Sequence, residues 1–369
     1  MKHALIDRKL LVFCLCLLAV PLLTAHAQDA PLWKVDGKLL GEAEGASDFE
    51  KSKDVSGFAC DRSSGFPRLC LVADDETQGA QIVILKDGEL VAGDFIKLTD
   101  AQHAAKPLEL DAEGVAFESG SFYVAGSHGR PRHRDDPKKE AASNAKAQAT
   151  RQIFRITLDA AGVDMQTGKL VSRPAIKPST DLAGILQRQP ELSASFDRAL
   201  EDNGLTIEGI AVRDASLYVG MRGPVIGTDA AVLSMPLSAV FEGQPAPSTL
   251  HKLALEKDSL CASRGVRDMT AHANGSLVLA GPVNDPPDGR EIQPGDYSIY
   301  LWDGKSGPKR VLDLPAYGKK VKPEALLPLD GDAERVRVLL LFDGPKEGAP
   351  RSVEVPLKPM DPTRSRPCP

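Results

Sequence analysis

The chain has 369 residues, a formal charge of −6, and 42% hydrophobic but only 5% aromatic residues. An acidic chain is a poor partner for nucleic acid or an anionic membrane surface, since both require clustered Lys and Arg. Its length suits either two domains or one large all-β domain.

The first residues have the pattern of a secretory signal. Lys2, Arg8 and Lys9 give a positive start, Leu10 to Leu23 are apolar except at Pro21, and Ala25-His26-Ala27 is a small-x-small cleavage pattern. The run is too short to be a stable membrane anchor. The expectation is a signal peptide over 1–27, a periplasmic or secreted location, and a soluble, monomeric mature chain. Loss of Lys2, Asp7, Arg8 and Lys9 would remove a net +2 and leave −8. Cys14 and Cys16 fall within the leader. Cys60, Cys70, Cys261 and Cys368 remain, and an even count in an oxidising compartment favours disulfides. Cys60 and Cys70 flank a turn-rich stretch and are expected to bridge one hairpin. Cys261 and Cys368 are then the remaining pair.

Five segments repeat along the chain: Asp54-Val-Ser-Gly-Phe-Ala, Glu113-Gly-Val-Ala-Phe, Glu208-Gly-Ile-Ala-Val, Asp268-Met-Thr-Ala-His and Glu324-Ala-Leu-Leu-Pro. Each opens on a carboxylate, and each is followed by a polar turn and a second apolar run. Third runs follow in every unit, and fourth runs in several. Short alternating runs bounded by Gly, Asp, Asn and Pro predict antiparallel strands. Four strands per unit predict an all-β propeller of about five blades over 28–357, with a Pro-rich tail at 358–369. The 95-residue spacing from Glu113 to Glu208 leaves room for a sixth blade. Insertions at about 130–150 and 175–205 fit it better, because Leu182, Ile185, Leu186 and Leu192 follow helical spacing. The last unit lacks a fourth strand, and the orphan run Trp33 to Leu40 is expected to complete it and cover an open edge.

In a propeller the innermost strand of each blade lines an axial channel. The turns on one face are short here, and the loops on the other are long. Long loops on a rigid scaffold commonly carry function. The long-loop face also receives the repeat carboxylates Asp54, Glu113, Glu208, Asp268 and Glu324. Asp74, Asp75, His128, Arg130, Arg222 and Asp285, at strand ends, join them to form a candidate binding site for a small molecule or a protein. Glu113, Glu208, Asp268 and Glu324 are candidate ligands for a hard cation such as Ca²⁺, which takes six to eight oxygens. The same carboxylates also suit a structural role, accepting backbone N–H bonds from the next blade, while the following Gly permits close packing. No nucleophile elbow, paired-histidine zinc motif, Cys-x-x-Cys or phosphate-binding loop occurs.

The units Asp111-Ala-Glu113-Gly-Val-Ala-Phe…Phe122-Tyr-Val-Ala-Gly-Ser-His128 and Thr206-Ile-Glu208-Gly-Ile-Ala-Val…Leu217-Tyr-Val-Gly-Met-Arg222-Gly resemble an exported bacterial family known only as a domain of unknown function. The Glu-Gly-Ile-Ala core is also similar to that of phytase-like, esterase-like propellers. This resemblance implies calcium and phosphate-ester hydrolysis, but carries no catalytic residue across. Two readings follow. One is an exported binding module using the long-loop face. The other is a metal-assisted phosphate-ester or carboxylic-ester hydrolase.

Overall fold

A computed structural model describes residues 30–44, 48–131, 137–287, 289–361 and 368. The expected leader, residues 132–136 in the charged run after Arg130 and most of the tail lie outside them. Five sheets follow one another along the chain. Blade 1 comprises Val55–Cys60, Arg68–Asp74, Gly79–Lys86 and Glu89–Lys97. Blade 2 comprises Ala112–Glu118, Ser121–Gly126, Ile153–Thr157 and Ala175–Ser179. Blade 3 comprises Thr206–Arg213, Ser216–Ile226, Asp229–Pro236 and Thr249–Leu253. Blade 4 comprises Arg264–His272, Gly275–Pro282, Ser298–Trp302 and Lys309–Asp313. Blade 5 has three strands, Lys322–Gly331, Arg335–Asp343 and Arg351–Pro356. The molecule is therefore a five-bladed propeller, and the long spacing between Glu113 and Glu208 contains no sixth blade.

The hydrophobic core lies in the seams between blades. Phe122, Phe154 and Ile156 of blade 2 meet Leu71, Ile82 and Ile84 of blade 1. Leu339 and Leu341 of blade 5 meet Val83 and Leu85 of blade 1, and this seam closes the ring. Each fully buried aliphatic side chain contributes roughly 1.5–3 kcal/mol, so the seams hold the blades together.

Part of the 175–205 segment is the fourth strand of blade 2. The helices Asp181–Arg188 and Pro190–Ser193 follow it. They bury Leu182, Leu186 and Leu192 in the seam between blades 2 and 3. A further helix, Glu140–Thr150, lies in the long loop of blade 2.

Closure differs from the expected fourth strand. Leu32 makes one antiparallel bridge to Arg351, and the Trp33 N–H donates to Pro350 O at 2.9 Å. The chain then crosses to blade 1, where Lys34–Asp36 pairs in parallel with Glu89–Val91 of the outer strand. Gly37, at φ +96°, turns the chain away. Leu40–Ala43 then pairs with Phe49–Lys51 in a separate hairpin. Buried Trp33 sits in the seam between blades 5 and 1. The N-terminal segment thus straddles the seam rather than filling out the last blade.

Both disulfides form. Cys60 and Cys70 are directly opposed in the inner hairpin of blade 1. Cys261 pairs with Cys368 and ties the tail to the connection that enters blade 4.

Candidate functional site

Each inner strand begins on the long-loop side, and its pairing is interrupted at the same place in every blade. The pairing skips Ser56, Glu113, Glu208, Arg267 and Glu324 in turn. A bulge leaves one residue unpaired and re-aims its side chain. The residue after it lies against the neighbouring inner strand. A Cβ on Gly209 would come within 2.6 Å of Met269 N, and one on Gly114 within 3.0 Å of Ile210 N. The Glu-Gly pair of the repeat is therefore a bulge residue followed by a residue with no room for a side chain.

This register revises two positions. The blade 1 counterpart of Glu113 is Ser56 rather than Asp54. The blade 4 counterpart is Arg267 rather than Asp268. Asp54 precedes the bulge, bridges Asp343 of blade 5 through its backbone and is half-buried. Burial, then the charge of Asp343, raises its pKa. Asp268 accepts N–H bonds from Leu326 of blade 5 and from Met269, both at 2.7 Å. It stitches blade 4 to blade 5.

The bulge residues form two unlike groups. In the first, buried Arg267 bonds both oxygens of Glu324, with Nε at 2.9 Å from Oε2, and lies 3.5 Å from Glu208. Arg222 donates to Glu208 at 3.0 Å, to Val283 O at 2.5 Å and to Asp285 at 3.3 Å. Lys322 bridges Asp285 at 3.4 Å and Asp343 at 2.6 Å. Burial pulls the Arg267 pKa down, but the charges of Glu208 and Glu324 outweigh it and hold the guanidinium ionised. Glu208 and Glu324 are therefore both paired with arginine.

The second group is Glu113 with Asp75 and Asp111. One carboxylate oxygen from each lies within 4.8 Å of the others, in a geometry able to hold a metal ion. No cationic side chain among the described residues pairs with any of them. Asp75 Oδ1 is shielded from water and has no hydrogen-bond partner. Asp111 sits at φ +53° and accepts the Ser127 hydroxyl. Burial, then the charges of Glu208, Asp111 and Asp75, raises Glu113 well above the usual range. Burial and the charge of Asp111 do the same to Asp75, and burial pushes Asp111 to about 6.

The remaining candidates surround this group or lie apart from it. Buried Asp74 accepts the Ser52 hydroxyl at 2.6 Å and the Glu76 N–H at 3.1 Å, and burial raises its pKa to about 7. Burial and Asp54 raise Glu76 to about 7 as well. His128 is fully buried at φ +57°. Its Nδ1 lies 2.9 Å from Gly126 O, burial lowers its pKa to about 4, and it does not join the three carboxylates. Arg130 is held by Asn144 at 2.7 Å, on the helix of the long loop.

Three members of these groups were not singled out by the repeat: Asp111, Arg267 and Lys322. Aligning the units on the bulge would have exposed Arg267. Asp111 and Lys322 precede the repeated positions and carry no periodic signal.

Comparison with known proteins gives a family and several distant structural likenesses. No curated protein matches the chain. Native arabinanase of Bacillus subtilis is 8% identical, with 85% of this chain and 96% of that one covered and a TM-score of 0.36. A Bacillus licheniformis endo-arabinanase is also 8% identical, covering 90% and 98%, with a TM-score of 0.37. Aldose sugar dehydrogenase from Streptomyces coelicolor, solved with PQQ bound, is 11% identical, covering 89% and 99%, with a TM-score of 0.38. The five-bladed architecture itself is read from the strand order above. Residues 54–354, from the first repeat unit to the last strand, match one family throughout, and the chain belongs to that family, described as "Protein of unknown function (DUF3616)".

Proposed function

We propose that this chain is an exported ligand-binding propeller that holds a hard divalent cation at the long-loop end of its axis. Asp75, Asp111 and Glu113 are the protein ligands. The open coordination positions of the ion then receive oxygen atoms of a small molecule or of a protein segment. The observation that carries this reading is the convergence of three carboxylates, with no cationic partner among the described residues, around the shielded and unbonded Asp75 Oδ1. Half-buried like charges at this separation are costly unless protonated or matched by a cation. Carboxylate oxygens are the donors that Ca²⁺ prefers.

Export fits the two disulfides, which persist in oxidising compartments. No helix among the described residues is long and apolar enough to cross a membrane. A monomer with no nucleic-acid or membrane partner is the form proposed here.

A calorimetric titration of chelator-treated protein with CaCl₂ tests the reading. One ion should bind per chain, and Asp75→Asn or Glu113→Gln should abolish the heat. Absence of heat from the folded native protein would refute it. A second reading, metal-assisted hydrolysis of a phosphate or carboxylic ester, is favoured by Asp74 and Glu76. Both titrate at about 7 beside the same group, where a carboxyl can donate and accept protons at neutral pH. Turnover of chromogenic phosphate or acyl esters that depends on calcium and on Glu113 would establish it.

A further inference from the structure

The opposite end of the axis carries a cavity. Arg267, Glu208 and Glu324 are at most 4% exposed, and they close the axis to solvent where they meet. Below them lies a void of about 340 Å³. Its wall follows the repeat. The residue four places after each bulge lines it in all five blades: Cys60, Phe117, Val212, Ala271 and Pro328. Ala59, Ala116, Thr270 and Leu327 form most of the ring above. Alanines at three of these positions leave the space that larger side chains would fill.

The chemistry of this wall differs from that of the acidic group. Its charged residues, Asp61, Arg62 and Glu118, each have a partner within the chain. Arg62 donates to both Asp61 oxygens, at 3.2 and 3.0 Å, and Glu118 accepts the Ala215 N–H at 3.1 Å. The Pro328 carbonyl accepts from Arg68 at 2.8 Å. Thr270, by contrast, lines the cavity, and its hydroxyl bonds to no described residue. Phe117 lines it too, with its other side against Phe122 at 4.7 Å between ring centres. The cavity lies within the size range of small-molecule sites, which pair apolar walls with a few orienting polar groups.

We propose that this cavity binds a small uncharged ring compound bearing one hydroxyl group. The ring packs against Phe117, Ala116 and Leu327, and the hydroxyl pairs with Thr270. The site lies on the short-turn face, shut off from the cation group by the arginine network.

Fluorescence titration of the intact, disulfide-bonded protein with 2-naphthol tests this, with naphthalene as the probe lacking the hydroxyl. Saturable one-to-one binding of 2-naphthol is expected. Ala271→Trp, which fills the void, should weaken it at least tenfold at an unchanged melting temperature. Thr270→Val should weaken 2-naphthol about tenfold, the worth of one buried hydrogen bond, and leave naphthalene unchanged. No saturable binding to native protein overturns the proposal, as does undiminished binding to folded Ala271→Trp. Should that variant not fold, Thr270→Val decides: equal loss for both probes, or no loss for either, overturns the assigned pairing.

Discussion

Glu113 on one side of the axis, and Glu208 and Glu324 on the other, occupy the same place in the repeat and meet opposite surroundings. Glu208 and Glu324 are matched by Arg267 and Arg222 within hydrogen-bonding distance. Glu113 faces Asp75 and Asp111 and pairs with no cationic side chain among the described residues. A repeat unit therefore fixes where a side chain points, and its neighbours fix what it does. The paired side is complete in itself and serves as a structural tie. The unpaired side is electrostatically unfinished, and that imbalance is the reason to expect an ion there.

The largest effect expected from breaking this comparison is on the paired side. Arg267→Leu leaves Glu208 and Glu324 buried with their main counter-charge removed, and should cost about 3–5 kcal/mol in denaturant unfolding. A loss under about 1 kcal/mol would show that the carboxylates find protons or water instead. Next is Asp268→Ala, which strands the Leu326 N–H between blades 4 and 5 and should cost about 1–3 kcal/mol. Glu113→Gln should act in the opposite direction. Removing one of three crowded charges raises the stability of metal-free protein by on the order of 1 kcal/mol. A destabilised Glu113→Gln variant would mean that the group is already satisfied.

The smallest effect is a pH slope. Folding raises Asp74 from 3.8 to about 7 and Asp111 from 3.8 to about 6, so the folded chain holds protons that the unfolded chain has lost. The stability they contribute is full below about pH 4 and disappears as pH rises through 6 to 7. The melting temperature of metal-free protein should therefore fall by a few degrees between about pH 5 and pH 8. Calcium should flatten that fall, since the ion replaces the protons on Asp111. A melting temperature that rises over this range without metal would contradict the assigned shifts.

The propeller was legible because each blade repeats its strands and turns, and the Glu-Gly pair marks the entry to an inner strand. The register was less so. Reading the units by their carboxylates put Asp54 and Asp268 where Ser56 and Arg267 stand. Charge type is a poor guide to register when a bulge shifts the ladder by one residue. The helix Glu140–Thr150 shows no apolar stripe, because the residues it buries are Ser143, Ala147, Ala149 and Thr150. Asp111 joins Glu113 through a left-handed backbone before the strand begins, which no alternation reveals. The apolar pattern from Trp33 to Leu40 predicts a strand on the last blade, but Trp33 itself pairs in no strand. It is a wedge in the seam, and the pairing passes to Lys34–Asp36 on the neighbouring blade.

The central claim, that one side of the axis is electrostatically unfinished and takes a cation, is tested most directly by locating an ion. Crystals grown with MnCl₂ in place of CaCl₂ would give an anomalous difference map. The account predicts a single strong peak among Asp75, Asp111 and Glu113, with nothing beside Glu208 and Glu324. A map without that peak, or with a peak in the arginine-paired group instead, would contradict it.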